Sequence, residues 1–277
     1  MINNIMKQTI RNFLVWILAR PFFYGFNVKL YILALNALGI LNYKTNKISG
    51  EYSFIVRLAR KFEPGSVVLD VGANVGDYSN LLKQLNSEII IYAFEPHPKT
   101  FKILQENAKN NKYTALNLGC GKSKSKLELY DYENKDGSSH ASLYRGAINE
   151  LRQCNSVSHI VDIIDIDSFI SEQNIQKVSL LKIDVEGNEY SVFEGLKEAL
   201  KKGIIEIIHF EFNEMNIFSR TFFKDFYDLL EDYQLFRMLP NHLLPLDTYS
   251  PIFCEIFAYQ NIVAVYKHKN YKLNLIV

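Results

Sequence analysis

Four short stretches of this 277-residue chain combine residue types that could do chemistry. The first is Asp70-Val71-Gly72-Ala73-Asn74-Val75-Gly76-Asp77-Tyr78, a carboxylate followed by two glycines at G-x-x-x-G spacing. Glycine lets a backbone turn tightly and approach a ligand closely, and a helix that follows offers free N–H groups at its start. A dinucleotide fingerprint wants G-x-G-x-x-G. Asn74 and Asp77 occupy its second and third glycine positions, which disfavours NAD and FAD. Asp70 is a poor neighbour for pyrophosphate but a good one for an ammonium or sulfonium cation. The second stretch is Phe94-Glu95-Pro96, with Glu95 lying 23 residues past Gly72. An acid there can accept hydrogen bonds from both ribose hydroxyls. The third and fourth are Asp184-Val185-Glu186-Gly187 and His209-Phe210-Glu211-Phe212-Asn213. A carboxylate or imidazole in such a place can take the proton of an attacking hydroxyl. Asp184, Glu211 and His140, the last in a polar loop, are the candidate catalytic residues, with His209 ranked below them. Helix capping is the alternative role for Asp184 and Glu186.

These residues need elements to position them. Val67–Val71 is brief, β-branched and bounded by Pro64-Gly65 and Gly72, which predicts a buried strand. Segments 89–94, 114–118, 178–185, 204–212, 234–238 and 261–266 complete a set of seven strands, with 127–130 as an extra hairpin edge. Segments 78–85, 99–110, 169–173, 190–202 and 221–232 read as helices. This alternation predicts an α/β fold with a doubly wound, mostly parallel seven-stranded sheet. Ligands in that architecture sit beyond the C-terminal ends of the strands, where the four stretches fall. The polar region 131–157 is expected to be a long loop that covers or builds a site.

Composition narrows the classes further. With 31 basic and 30 acidic residues the net charge is +1, which gives no general electrostatic claim on nucleic acid. A 48% hydrophobic and 22% charged chain is a folded globular one, not a disordered one. Cys120, Cys154 and Cys254 fit no zinc or redox spacing, so reduced thiols and a cytoplasmic location are expected. The apolar run 13–19 is followed by Arg20-Pro21 without a small-residue cleavage site, so no signal peptide is read. The oily stretch 13–41 is interrupted by Arg20, Pro21, Gly25, Lys29 and Gly39. It falls short of the roughly 20 clean apolar residues of a membrane span. Residues 1–48 are expected to form a helical extension that packs on the main domain, residues 49–277, or on a second subunit of a homo-oligomer. A peripheral membrane contact is the alternative.

The glycine turn, Phe94-Glu95-Pro96 and Lys182-Ile183-Asp184-Val185-Glu186-Gly187 together resemble the FkbM-type methyltransferases, class I enzymes that use S-adenosylmethionine (SAM). Gly39-Ile40-Leu41-Asn42-Tyr43 and Ser49-Gly50-Glu51 extend the resemblance, which covers roughly residues 39–213. It implies a Rossmann-like fold with SAM as cofactor. Asp70, Gly72, Ala73, Asn74, Gly76 and Tyr78 would surround its methionine end. Glu95 and Pro96 would lie at the ribose, and Asn117 and Gly119 beside the adenine. Glu51 is expected to reach the cofactor as well. The activity implied is O-methylation of a hydroxyl on a sugar, glycan precursor or small metabolite. N-methylation of an amine or amide is an alternative, and a non-catalytic SAM-fold binding protein another. A divalent metal is not favoured, because no tight ligand cluster is readable in the sequence.

Overall fold

The computed structural model describes residues 2–138, 140–151 and 153–268. In chain order its strands are β1 (Val67–Val71), β2 (Ile90–Phe94), β3 (Thr114–Leu116), β4 (Gly119–Cys120), β5 (Ser125–Tyr132), β6 (Ser156–Ile164), β7 (Leu180–Ile183), β8 (Ile207–Phe212), β9 (Tyr233–Met238), β10 (Leu243–Pro245) and β11 (Gln260–Tyr266). Eight of them form one sheet in the order β10-β9-β11-β8-β7-β1-β2-β3. The run from β8 to β3 is parallel. β11 pairs antiparallel with both β8 and β9, and β10 adds antiparallel to β9. This is the doubly wound, mostly parallel sheet expected, with the three-residue β10 as an eighth strand on its edge.

The remaining strands make a second sheet, β4-β6-β5. The hairpin edge expected at 127–130 is the middle of an eight-residue strand, and its partner β6 begins inside the region expected to be loop. Their register pairs Ser125 with Ile163 and Tyr132 with Ser156. Val161 and Ile163 are buried while Ile160 and Asp162 are exposed, the period-two pattern of a strand with one covered face. The helix expected over 190–202 is two, Glu189–Glu194 and Lys197–Lys201. Gly195 lies between them against the Gly121 backbone, where a Cβ would come within 3.0 Å of the carbonyl carbon.

Alternation along β8 decides which side chains face which layer. Phe210 and Phe212 join Phe193, Phe223 and Phe226 in one aromatic cluster. Ile207 joins Phe54, Leu82 and Phe236 on the opposite face. His209 and Glu211 therefore share that second face. Burying each phenyl contributes about 1.5–3 kcal/mol, which locks the register and with it the direction of Glu211.

Residues 2–37 depart from the expected packing. They form α1 (Ile2–Leu18) and α2 (Tyr24–Ala37), with Pro21 between them. In α2 only Leu35 is buried, and Trp16 and Phe22 are 63% and 89% exposed. Intimate contact with the main domain begins where Ile40 bridges Gln260 and the Leu41 N–H donates to the Tyr259 carbonyl. Among the described residues no helix is long and apolar enough to cross a membrane. Cys120 and Cys254 are buried, Cys154 is exposed, and none of the three is in a disulfide among the described residues.

Candidate active site

Three parallel strands deliver the chemistry side by side. The register of β1 with β7 sets Asp70 beside Lys182, and that of β7 with β8 sets Lys182 beside His209. Two residues further along each strand, at the C-terminal edge, stand Gly72, Asp184 and Glu211. Gly72 has φ +78°, and a Cβ there would lie 2.7 Å from the Asp184 carbonyl carbon. The glycine is required because the turn rests directly on the β7 end, not because a ligand needs the space of its side chain. Gly76, at φ +91°, is enclosed likewise by Tyr113 and Leu104.

Glu95 ends β2 and is 7% exposed. Its carboxylate accepts the Asn74 N–H at 2.9 Å and the His97 N–H at 2.8 Å, so it staples the glycine turn to the next helix. Burial raises its pKa to about 7. Asn117 is exposed, and its amide donates to the Glu95 and Pro96 carbonyls at 2.9 and 3.0 Å, which braces this turn. Asp70 is fully buried. One oxygen accepts the Ser79 hydroxyl at 2.6 Å and the other has no hydrogen-bond partner among the described residues.

Two clefts meet over this edge, and Gly72, Asn74 and Asp184 line both. The first, about 740 Å³, combines Glu95, Pro96 and Gly119 with the apolar Leu129, Ala141, Leu143 and Ile163. The second β-sheet and the segment that connects β5 to β6 thus wall this cleft. The other, about 730 Å³, is lined by Glu51, Ala73, Tyr78, Lys182, Glu211, Tyr43 and Tyr259. Lys182 Nζ bonds Asp184 Oδ2 at 2.9 Å and stands 5.1 Å from the Tyr78 ring centroid. Burial opposes its charge, but Asp184, Asp70 and Glu51 outweigh that and hold its pKa well above the usual lysine range. Burial first, then Asp184 and Glu186, push Glu211 well above the usual carboxylate range. Asn213 donates to Glu211 at 3.2 Å.

The other candidates sit apart. His140 lines neither cleft; its Nδ1 lies 3.0 Å from Glu186 Oε1, in a part-buried pair. His209 is buried between Tyr78 and Phe54, with Nδ1 3.3 Å from the Tyr78 hydroxyl, and burial lowers its pKa to about 4. Two residues of the second cleft, Lys182 and Tyr43, are given no role of their own by the sequence, and a third, Tyr259, belongs to an aromatic stretch, 249–259, that reads as core packing ahead of a substrate wall. Lys182 carries a signal, since Lys182-Ile183-Asp184 puts a cation and an acid on one strand face. Tyr43 and Tyr259 are far apart in the chain and meet edge to face, ring centroids 6.1 Å apart, only in the fold.

A metal-like grouping unseen in the sequence is His97, Asp136 and His159. Asp136 Oδ1 lies 2.9 Å from His97 Nε2 and 2.8 Å from His159 Nε2, and Lys99 pairs with the same carboxylate. His97 Nδ1 accepts the Lys99 N–H at 3.2 Å, which leaves the ring proton on Nε2 as a donor. These partners make it a hydrogen-bonded clamp from the β5–β6 sheet to the helix after Glu95. The ring nitrogen facing Asp136 has no free lone pair for a cation.

The other groups fit a nucleoside sulfonium. There is a buried acid for a ribose diol, an apolar slot for a base, a close-approaching backbone turn, and several carboxylates near the junction of the clefts. This sheet order, with a glycine turn after β1 and an acid just past β2, is the fold of the class I methyltransferases. The chain belongs to the family described as the methyltransferase FkbM domain, whose model matches residues 70–237. It is 28% identical over 151 residues to Methyltransferase 1 of Beauveria bassiana, covering 50% of this chain and 61% of that one. It is 26% identical over 159 residues to the hexuronic acid methyltransferase AglP of Haloferax volcanii, covering 57% and 62%. The 2-O-methyltransferase NoeI of Sinorhizobium fredii is 24% identical over 198 residues, covering 67% and 79%. The chain thus spans about three fifths of the length of the first two relatives. Among solved structures it resembles the methyltransferase FkbM of Methylobacillus flagellatus KT, with TM-score 0.46 and 13% identity over 87% of this chain and 60% of that one.

Proposed function

We propose that this protein is an O-methyltransferase that uses SAM and acts on a hydroxyl of a sugar, glycan precursor or small metabolite. The observation that carries the reading is the wall shared by the two clefts at Gly72, Asn74 and Asp184. A donor on one side and an acceptor on the other would meet there. SAM, when bound, supplies an electrophilic methyl group. Glu95 would hold its ribose hydroxyls, Leu129 and Ile163 would flank its base, and the Ala73-Asn74 backbone would carry its amino-acid arm.

The acceptor cleft suits a polyol. Tyr43 and Tyr259 offer aromatic faces to C–H surfaces, and Glu51, Asp184 and Glu211 accept hydroxyl hydrogen bonds. Glu211 is the group for proton removal, because it lines this cleft beside Asp184 and its burial makes it a stronger proton acceptor than an ordinary carboxylate. Asp184, tied to Lys182, aligns the hydroxyl; alignment of this kind contributes up to about 7–11 kcal/mol in favourable cases. The name of one relative, a hexuronic acid methyltransferase, supports a carbohydrate acceptor, and that of another, a 2-O-methyltransferase, supports transfer to oxygen.

The test is transfer of labelled methyl from SAM to a panel of saccharides and amines, with calorimetry of SAM binding alongside. Label on hydroxyls supports the reading. Label on amines alone overturns O-methylation, and absence of SAM binding overturns both the donor site and the activity.

A further inference from the structure

The first 50 residues contain six basic residues, Lys7, Arg11, Arg20, Lys29, Lys44 and Lys47, and no acid. The other 227 residues carry 25 basic and 30 acidic residues. The positive charge of this near-neutral protein is therefore concentrated at one end. The same end holds its largest uncovered apolar surface. On α1, Ile10, Phe13 and Leu14 are each more than half exposed, and on α2 Tyr24, Tyr31 and Leu33 are too. α2 is apolar on nearly every side, a pattern found in helices surrounded by protein core or lipid and not by water.

Length excludes a span. Helices of 17 and 14 residues reach about 26 and 21 Å, short of the roughly 30 Å hydrocarbon thickness. Side chains match a headgroup boundary instead. The Arg20 guanidinium lies 4.2 Å over the Trp16 ring, an amphipathic pair of the kind that sits at the water–lipid interface. Charge decides between lipid and a second copy of the chain. Two such faces, both cationic, repel each other, whereas anionic phospholipids attract them.

We infer that α1 and α2 form an interfacial anchor for a membrane containing anionic phospholipid, and that the anchor holds the acceptor cleft at that surface. α2 runs straight into the segment that lines this cleft. After Ile40 and Leu41 dock on β11, Tyr43, Thr45 and Asn46 form its rim. The second half of the inference rests on the proposed methyl transfer and implies an acceptor displayed at a membrane; the first half stands without it.

The experiment is flotation of the full chain with vesicles of phosphatidylcholine alone and of phosphatidylcholine with phosphatidylglycerol. The chain should float with the anionic vesicles and little with the neutral ones, and added salt should release it. The double substitution Lys7→Gln/Arg11→Gln should weaken partitioning about 30-fold, a factor of about 5 for each base near an anionic surface. Leu14→Asp/Leu33→Asp should abolish it. All four positions lie outside the clefts, so SAM affinity should stay at its wild-type value and report an intact main domain. No flotation, equal flotation on both vesicle types, or a stable dimer that buries the helices and stays in the aqueous phase would each overturn the anchor. Flotation without methyl transfer to any acceptor would sustain the anchor and count against the proposed function alone.

Discussion

Replacing Gly72 by alanine tests the join between the cofactor turn and the sheet. At φ +78° an L-residue costs about 1–2 kcal/mol over glycine. The added Cβ would also lie 2.7 Å from the Asp184 carbonyl carbon, so either the turn or the end of β7 must shift. The bond at risk is the Asp184 N–H to the Val71 carbonyl, 2.9 Å long, and losing it costs about 1 kcal/mol more. The total is about 3 kcal/mol. In a domain of this size that lowers Tm by about 6–12 °C. The assay is thermal and urea unfolding of the ligand-free protein, followed by calorimetry with SAM. If the alanine variant melts with wild type and loses only SAM affinity, the glycine is there for ligand space and the steric argument is refuted.

Glu211→Gln should lower kcat by about 100-fold or more while leaving SAM affinity intact, measured by single-turnover methyl transfer and calorimetry. His140→Ala should lower turnover less than tenfold, because His140 lines neither cleft and only pairs with Glu186 at the wall of the first; a complete loss would move the base to the loop. Glu95→Ala should weaken SAM binding by about 1–3 kcal/mol. It should also lower stability by about 2 kcal/mol in urea unfolding, since two backbone N–H donors lose their acceptor. Glu95 and Glu189 both have pKa values raised by burial from 4.5 to about 7, so the folded state keeps their protons longer than the unfolded one. Ligand-free protein should therefore lose stability as pH rises from about 4.5 to about 7, and Glu189→Gln should flatten that slope in urea midpoints.

Much of the donor side is legible in the sequence because it is local. A β-branched run, a glycine turn and an acid on the next strand are each contained in a few residues, and the alternation of elements orders them. Lys182-Ile183-Asp184 is also local, but its meaning depends on Asp70 and His209 on neighbouring strands, and register is invisible in one sequence. The acceptor side is not legible for the same reason in stronger form: Tyr43 and Tyr259 share a wall only through the Ile40–Gln260 bridge. β6 escaped because its exposed face mixes Ser158, Ile160 and Asp162, which blurs the alternation. The Asn117 amide serves the Glu95 and Pro96 carbonyls, contacts across 21 and 22 residues that no local motif announces. The N-terminal helices are expected to pack on the main domain or on a second subunit because apolar text usually finds a protein partner; the main domain of the same chain leaves them largely uncovered.

The wall made by Tyr43 and Tyr259 has a consequence for biosynthesis. The donor cleft is built from residues 72–188, all of which leave the ribosome well before β11. The acceptor cleft needs Tyr43 from near the start of the chain and Tyr259 from near its end. Closing that separation means joining a loop of more than 200 residues, among the costliest closures the chain makes and one that comes late. A growing or truncated chain that stops short of β11 would thus have most of what is needed to hold a methyl donor and no place to bring an acceptor.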